Sequence, residues 1–439
     1  MEKDKTQGPQ TLKIVFLTLF LDLVGFSIIF PLFPAILDYY LPTDPSESNL
    51  LSSFIGPIFQ LAESTGHQNP KFITTVLFGG ILGSIYSILQ FIFAPIWGSL
   101  SDKYGRKKLL LITISGLALS YLIWGFAGNF WILIIARLVG GVMSGNISVA
   151  SAIVADVTPK EKRTSGMAII GVAFGLGFIM GPAIGGILAQ FNLLNAFPSL
   201  EHYGINPFSL TAFFSLFLSL LNLIWVNFKL KETLPSQVRK KTKAEPFKIF
   251  KLFNYGTVDS KQLNLTYLIF MIAFSGMEFT LTFFAVDRFL FSTFQNGMMF
   301  VYIGIILILA QGVLVRRLSS KVGPYNLSLS GLFLSIIAFI LLSFSNTLLF
   351  FFSALTVMSL SIGLCSPSMS ALASLFAKPE EQGALLGLFR SAGSFARASG
   401  PILAALSYFF YGPQITYLVG SIVVIFAYIK MARLSKPSH

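Results

Sequence analysis

Charge and cysteine are both scarce in this chain. Only 11% of its 439 residues are Asp, Glu, Lys or Arg, less than half the share of an ordinary soluble domain. With 54% hydrophobic residues and a mean hydropathy of +0.76, a water-soluble fold would lack polar surface. The single cysteine, Cys365, excludes a disulfide within one chain and a cysteine metal site. The three histidines, His67, His202 and His439, are scattered without a partner at ligand spacing. They read as solvated loop or tail residues. No Gly-x-x-x-x-Gly-Lys-[Ser/Thr] loop occurs, which argues against pumping by nucleotide hydrolysis. No nucleophile–base pair or metal cluster lies in an apolar block, so neither an enzyme nor a metal cofactor is expected.

What the chain does have is a series of apolar blocks, each about 20 residues long or more, the length that spans roughly 30 Å of hydrocarbon as a helix. Twelve spans are predicted, near 13–37, 72–97, 108–128, 130–154, 165–190, 207–228, 263–287, 296–315, 325–344, 347–376, 383–410 and 412–431. The polar first twelve residues lead into a block with no small-residue cleavage site, so the first helix is expected to be retained. Strand-type alternation of a membrane barrel is absent. The basic stretch 229–262 reads as a linker between two six-helix halves, 1–228 and 263–439. The fold class expected is therefore an all-α membrane protein.

The basic residues orient it. With the N-terminus inside, only Lys71 and Arg288 of the 31 Lys and Arg fall on the outer side, while Arg137, Arg390 and Arg397 fall within spans. The rest are cytoplasmic, which places both termini inside. Basic residues beside anionic headgroups also account for the net charge of +13 without nucleic acid as a partner. The expected partners are the lipid bilayer and a small-molecule substrate, and the expected working unit is a monomer.

The two halves resemble each other. Leu100-Ser101-Asp102-Lys103-Tyr104-Gly105 recurs as Leu318-Ser319-Ser320-Lys321-Val322-Gly323, and Gly181-Pro182 recurs as Gly400-Pro401. The two offsets agree within one residue, which points to an internal structural repeat.

The loop Gly98-Ser99-Leu100-Ser101-Asp102-Lys103-Tyr104-Gly105-Arg106-Lys107-Lys108 resembles the signature loop of the major facilitator superfamily. Read physically, Gly98 and Gly105 permit a tight turn. Asp102 is a carboxylate able to accept from a helix N-terminus. The resemblance implies that Asp102 braces a cytoplasmic gate, with Arg106 and Asp156 as its relay. Gly177-Phe178-Ile179-Met180-Gly181-Pro182-Ala183-Ile184-Gly185-Gly186 looks like the motif of the proton-coupled drug antiporter branch. Its small residues let helices approach closely, and Pro182 bends the helix. Ala136-Arg137-Leu138-Val139-Gly140-Gly141 is similar to the family's fourth-helix motif, in which the arginine is tied to proton transfer. Gly140 stands where a polar residue is usual. Asp22-Leu23-Val24-Gly25 with Pro31 and Pro34 is typical of tetracycline-exporter relatives. The stretch around Gly276-Met277-Glu278, with Arg288-Phe289, Gln311-Gly312 and Arg316-Arg317, looks like a tetracycline-transporter-like subgroup handling organic anions.

Ionisable groups inside spans are costly and mark functional sites by default. Asp22 lies roughly 14 Å into the first helix at 1.5 Å per residue, and Glu278 lies somewhat past mid-depth of the seventh. Both are read as proton- or cation-binding groups, because a carboxylate whose surroundings change can take up a proton on one side and lose it on the other. Protons are thus the expected coupling ion. Arg137, Arg390 and Arg397 complete the candidate proton and substrate site. Arg390 and Arg397 are two helical turns apart near one face and suit an anion, although Arg397 could instead brace an outer gate. Phe26, Phe30, Phe274 and Tyr302 are candidate cavity-lining aromatics. Asp287 and Arg288 read as interface residues.

In the long first outer loop, Leu50, Leu51, Phe54, Ile55, Ile58 and Phe59 follow helical spacing interrupted by Pro57. The expected activity is proton-coupled efflux of amphiphilic small molecules by alternating access about a mid-membrane site. The alternative is a carrier of an organic anion, lysolipid or other metabolite. The expected host is a bacterial cytoplasmic membrane.

Overall fold

A computed structural model describes residues 7–41, 50–64, 66, 69–159, 163–234, 257–376 and 382–436. His67, His439 and the linker between 235 and 256 lie outside the described residues. Within them there is no strand. Lipid offers the backbone no hydrogen-bond partner, so an apolar block satisfies its own N–H and C=O groups as a helix.

The helices of the first part are α1 (Gln7–Ser27), α2 (Phe33–Tyr40), α3 (Leu50–Ser64), α4 (Pro70–Tyr104), α5 (Arg106–Gly125), α6 (Phe130–Met143), α7 (Asn146–Val157), α8 (Arg163–Leu188), α9 (Leu193–Ala196) and α10 (Ser209–Lys229). The second part has α11 (Val258–Phe289), α12 (Thr293–Leu309), a π-helical stretch Ala310–Val315, α13 (Arg316–Ser343), α14 (Leu348–Leu375) and α15 (Gln382–Ala432). Among the described residues, 11 helical segments are long and apolar enough to cross a membrane.

Glycine explains where helices turn without a loop. Gly105 (φ 102°), Gly323 (φ 77°) and Gly412 (φ 75°) occupy the left-handed region open to a residue with no Cβ. Gly105 separates α4 from α5. Gly323 breaks α13, and Gly412 breaks α15, so each holds two helices. Gly105 and Gly323 are the matching glycines of the two sequence repeats, and they share the same backbone conformation. Gly98 departs from expectation. It lies inside α4 rather than in a turn, and a Cβ there would lie 2.5 Å from the Ser148 hydroxyl of α7. Its missing side chain admits a neighbouring helix. The predicted span 130–154 is two helices, α6 and α7, parted at Ser144–Gly145.

The described chain divides by contact into two units. The first comprises Met1–Leu32, Ile88–Phe247 and Thr293–Val301. Its core joins Val15, Leu19 and Leu23 of α1 to Ile114 of α5, Val149 and Ile153 of α7 and Val226 of α10. The second comprises Phe33–Ser87, Lys248–Ser292 and Tyr302–His439. There α11 packs along α15, with Phe284 edge-on to the buried Tyr417 at 5.3 Å.

One seat recurs in both units. In the first, Ser27 of α1 donates to the Gly177 carbonyl of α8 at 3.0 Å. A Cβ on Gly181 would lie 2.0 Å from the Ser27 hydroxyl and 2.7 Å from the Val24 carbonyl. In the second, Ser275 of α11 donates to the Ala396 carbonyl of α15 at 3.0 Å. A Cβ on Gly400 would lie 2.1 Å from the Ser275 hydroxyl and 2.7 Å from the Ile272 carbonyl. The repeated Gly-Pro thus marks a repeated helix contact, in which a serine bonds a carbonyl across a glycine gap too narrow for a methyl group.

Candidate functional site

The antiporter-type motif on α8 is a packing surface on two sides. Gly177 and Gly181 press against α1, and Gly185 against the residue just beyond its end, where a Cβ on Gly185 would come within 2.1 Å of the Ile28 carbonyl. Gly186 faces Gly297 of α12, and a Cβ on either would come within 2.9 Å of the other's Cα. Pro182 contributes its carbonyl, 2.9 Å from a Cβ on Gly297. Backbone contact this close requires glycine on both helices.

At the α4–α5 turn, Arg106 is buried and holds two carboxylates. Its guanidinium lies 2.9 Å from Asp156 and 2.5 Å from Asp102, and it also donates to the Ser101 hydroxyl at 2.7 Å. Asp102, Arg106 and Asp156, picked out from sequence, therefore meet. The carboxylate that serves the helix N-terminus is a different one. The Arg106 and Lys107 N–H groups donate to Glu232 at 2.9 and 3.2 Å. Thr233 donates to Asp156 at 3.1 Å. Glu232 thus caps α5 from just beyond α10, which suits the positive end of the helix. Asp102 instead pairs with Arg106, one turn on.

Asp22 has partners that sequence reasoning missed. Asn146, the first residue of α7, donates its side-chain amide to one carboxylate oxygen. Asn222 of α10 donates to the other at 3.0 Å and to the Thr18 carbonyl at 3.1 Å. Asn146 and Asn222 are 3% and 0% exposed. Arg137 is also buried, but its guanidinium lies over the Trp124 ring at 5.1 Å. Two neutral amides, rather than an arginine, hold the first-helix carboxylate.

In the second unit, Arg390 and Arg397 of α15 both lie near enough to Tyr267 of α11 for their charge to act on its hydroxyl. Arg397 acts likewise on Glu278. The Tyr267 ring stacks on Phe389 at 3.9 Å and 20°. A Cβ on Gly393 would lie 3.0 Å from that ring, so glycine there lets the tyrosine lie flat on α15. Tyr267, within electrostatic reach of both arginines, was unforeseen from sequence.

The candidate aromatics separate. Phe26 and Phe30 pack with Phe178, with centroids 5.4 to 5.9 Å apart. Phe274 leans on Phe270 at 6.2 Å. Tyr302 shares a 2.7 Å hydroxyl contact with Thr356 and lies edge-on to Phe352. Arg288 bonds Asn346, and Asp287 and Arg288 are exposed, as expected of interface residues. His202 is exposed too. Between α2 and α4, the helical spacing is realised as α3, which contains Pro57.

The sequence matches the family described as the Major Facilitator Superfamily over residues 15–401, with a second match over 313–438. It is 31% identical to mouse major facilitator superfamily domain-containing protein 10, over 97% of this chain and 93% of that protein. It is 26% identical to the class H tetracycline resistance protein of Pasteurella multocida, over 93% and 92% of the two chains. In three dimensions it is similar to the crystal structure of the human organic anion transporter MFSD10 (TETRAN). The TM-score is 0.76 at 30% identity, covering 98% of this chain and 100% of that one. Its many apolar helices make it an integral multi-pass membrane protein. The chain belongs to the Major Facilitator Superfamily.

Proposed function

We propose that this protein is a secondary transporter that exchanges an amphiphilic organic anion for protons by alternating access. The observation that carries the anion reading is a pair of arginines two turns apart on α15, both within electrostatic reach of Tyr267, whose ring stacks on Phe389. Two guanidiniums, a phenol and a stacked phenylalanine suit a carboxylate attached to an apolar body, because a guanidinium bonds a carboxylate in a planar, bidentate fashion. The similarity to a human organic anion transporter supports the same class.

Asp22 and Glu278 are the proposed proton carriers, with Arg397 beside Glu278 and Arg137 assisting. Phe26, Phe30, Phe274 and Tyr302 are proposed to line the substrate's path. Counting both helices of α15 gives twelve spans, in halves 1–228 and 263–439 joined by 229–262. Asp102, Arg106 and Asp156 form the proposed cytoplasmic gate, with both termini inside. The mammalian relatives at 31% identity lend a bacterial cytoplasmic membrane no support.

The test is uptake of naphthoate, an aromatic carboxylate, into liposomes holding the purified protein. Saturable uptake is expected, with kcat/KM about tenfold or more lower in Arg390→Gln and Arg397→Gln, the loss of one charge-assisted hydrogen bond each. A second reading, export of a tetracycline-like amphiphile, is favoured by the similarity to tetracycline resistance proteins. It takes precedence if tetracycline moves saturably and naphthoate does not.

A further inference from the structure

Resting on the proton-coupled reading, we infer that Asn146 is the group that reads the protonation of Asp22, turning its amide when the proton binds, and that α7 carries this change to the Asp156–Arg106 pair. As the structure stands, both amides present N–H groups to Asp22. That suits an ionised carboxylate, which only accepts. A protonated carboxyl must donate its O–H, so one amide has to offer an oxygen instead. The side-chain oxygens of Asn146 and Asn222 are both buried and have no hydrogen-bond partner.

The two amides are not equivalent. Asn222 also holds the Thr18 carbonyl through the same nitrogen, so turning it would break a second bond. Asn146 donates to Asp22 alone. Rotating it half a turn about its last side-chain bond costs no other hydrogen bond and presents its oxygen to the new O–H. An amide can make this exchange because its two ends are nearly the same size.

The charged residues of the helices packed on α1 sit at helix ends: Asp156 on α7, Arg163 on α8 and Lys229 on α10, with Lys13 on α1 itself. Arg137 of α6 is engaged with Trp124. At depth, the Tyr121 hydroxyl of α5 faces Gly25, about one turn further along α1.

The position of Asn146 gives the turn a consequence. It is the first residue after the break at Ser144–Gly145. That break is held from α4: a Cβ on Gly145 would lie 2.5 Å from Trp97, whose indole N–H donates to the Val142 carbonyl at 2.6 Å. Beyond the break, α7 is one uninterrupted helix of 12 residues. Asn146 stands at one end, and Asp156, bonded to Arg106 at 2.9 Å, stands near the other. A reorientation at the break therefore acts on the Asp102–Arg106–Asp156 cluster through a rigid rod.

The test is pH-difference infrared spectroscopy of the reconstituted protein, with asparagine side-chain carbonyls carbon-13 labelled. The Asp22 carboxyl band is the one lost in Asp22→Asn. As it appears on acidification, one labelled amide carbonyl band must move to lower wavenumber. That band must vanish in Asn146→Leu and persist in Asn222→Leu. Asn146→Ser, which keeps a hydroxyl but no carbonyl, must also lose it, and serves if the leucine variant does not fold. In a Cys365→Ser background, labelling of Thr158→Cys beyond the end of α7 must depend on pH, and must lose that dependence in Asn146→Leu or Asn146→Ser. If the carboxyl band appears without any amide shift, or the shift survives in Asn146→Leu and Asn146→Ser, this inference is wrong and the proton-coupled reading stands. If no Asp22 carboxyl band appears at any pH, proton carriage by Asp22 fails first, and this inference with it.

Discussion

Gly181→Ala tests the helix seat shared by both units. A methyl group there would lie 2.0 Å from the Ser27 hydroxyl, 2.7 Å from the Val24 carbonyl and 3.1 Å from the Ile28 nitrogen. The hydroxyl can rotate away, but the two backbone atoms cannot move unless α1 moves with them. Overpacking of this kind costs about 1–3 kcal/mol, and contact with backbone puts it at the upper end. Alanine returns about 1 kcal/mol in helix propensity. The net expectation is a loss of about 2 kcal/mol, roughly a thirtyfold fall in the folded-to-unfolded ratio.

Gly175, six residues earlier on the same helix, has nothing within 4 Å of its would-be Cβ. Gly175→Ala should therefore stabilise by up to about 1 kcal/mol. The assay is unfolding by dodecyl sulfate in mixed micelles, followed by tryptophan fluorescence. Adding Ser27→Ala to Gly181→Ala should restore only part of the loss, because the Val24 carbonyl remains. Equal effects at Gly175 and Gly181, or full rescue by Ser27→Ala, would refute the reasoning.

In the same assay, Gly105→Ala and Gly323→Ala should each cost about 1–3 kcal/mol, the strain of a side chain where φ is positive and ψ extended, a region essentially reserved for glycine. At Gly323 nothing else lies within 4 Å, so the strain stands alone. Arg106→Leu should destabilise by about 2 kcal/mol, because it leaves Asp156 and Asp102 without their shared cation while Asp102 keeps some solvent screening. Asp156→Asn should cost less. Glu232→Ala frees two N–H groups at the start of α5 and should cost about 1 kcal/mol, with Glu232→Gln recovering part of it.

The parts of this molecule that were legible in its sequence are those written as spacing. Hydrophobic block length anticipated helices long and apolar enough to cross a membrane, because lipid thickness fixes it, and 11 such segments are present among the described residues. The paired hexapeptides anticipated two glycines with the same positive φ, and Gly181 and Gly400 anticipated two matching seats. Asp102, Arg106 and Asp156 could be grouped through a family resemblance. What stayed hidden was written in neutral polar residues and in distance. Asn146 and Asn222 carry no charge and no period, and they lie 124 and 200 residues from Asp22. Only the crossing of α1, α7 and α10 brings them together. Glu232 falls within the stretch 229–262 that reads as a basic linker, yet it caps a helix that begins 126 residues earlier. Gly98 read as a turn residue because loop motifs suggest turns, but its place is set by the approach of Ser148. The break at Gly145 was invisible because the residues on both sides are apolar enough to continue one span.

The central claim is that an organic anion and a proton move in exchange through Asp22. Its most direct test places the protein in liposomes with a trapped pH dye and adds naphthoate on one side. Naphthoate should drive proton movement in the wild type, and Asp22→Asn should abolish that movement while the protein remains folded. Glu278→Gln, measured beside it, shows whether the second carboxylate shares the proton. Naphthoate crossing at the same rate with and without a pH gradient, in the wild type and in both variants, would contradict the account and leave a facilitator whose carboxylates are structural.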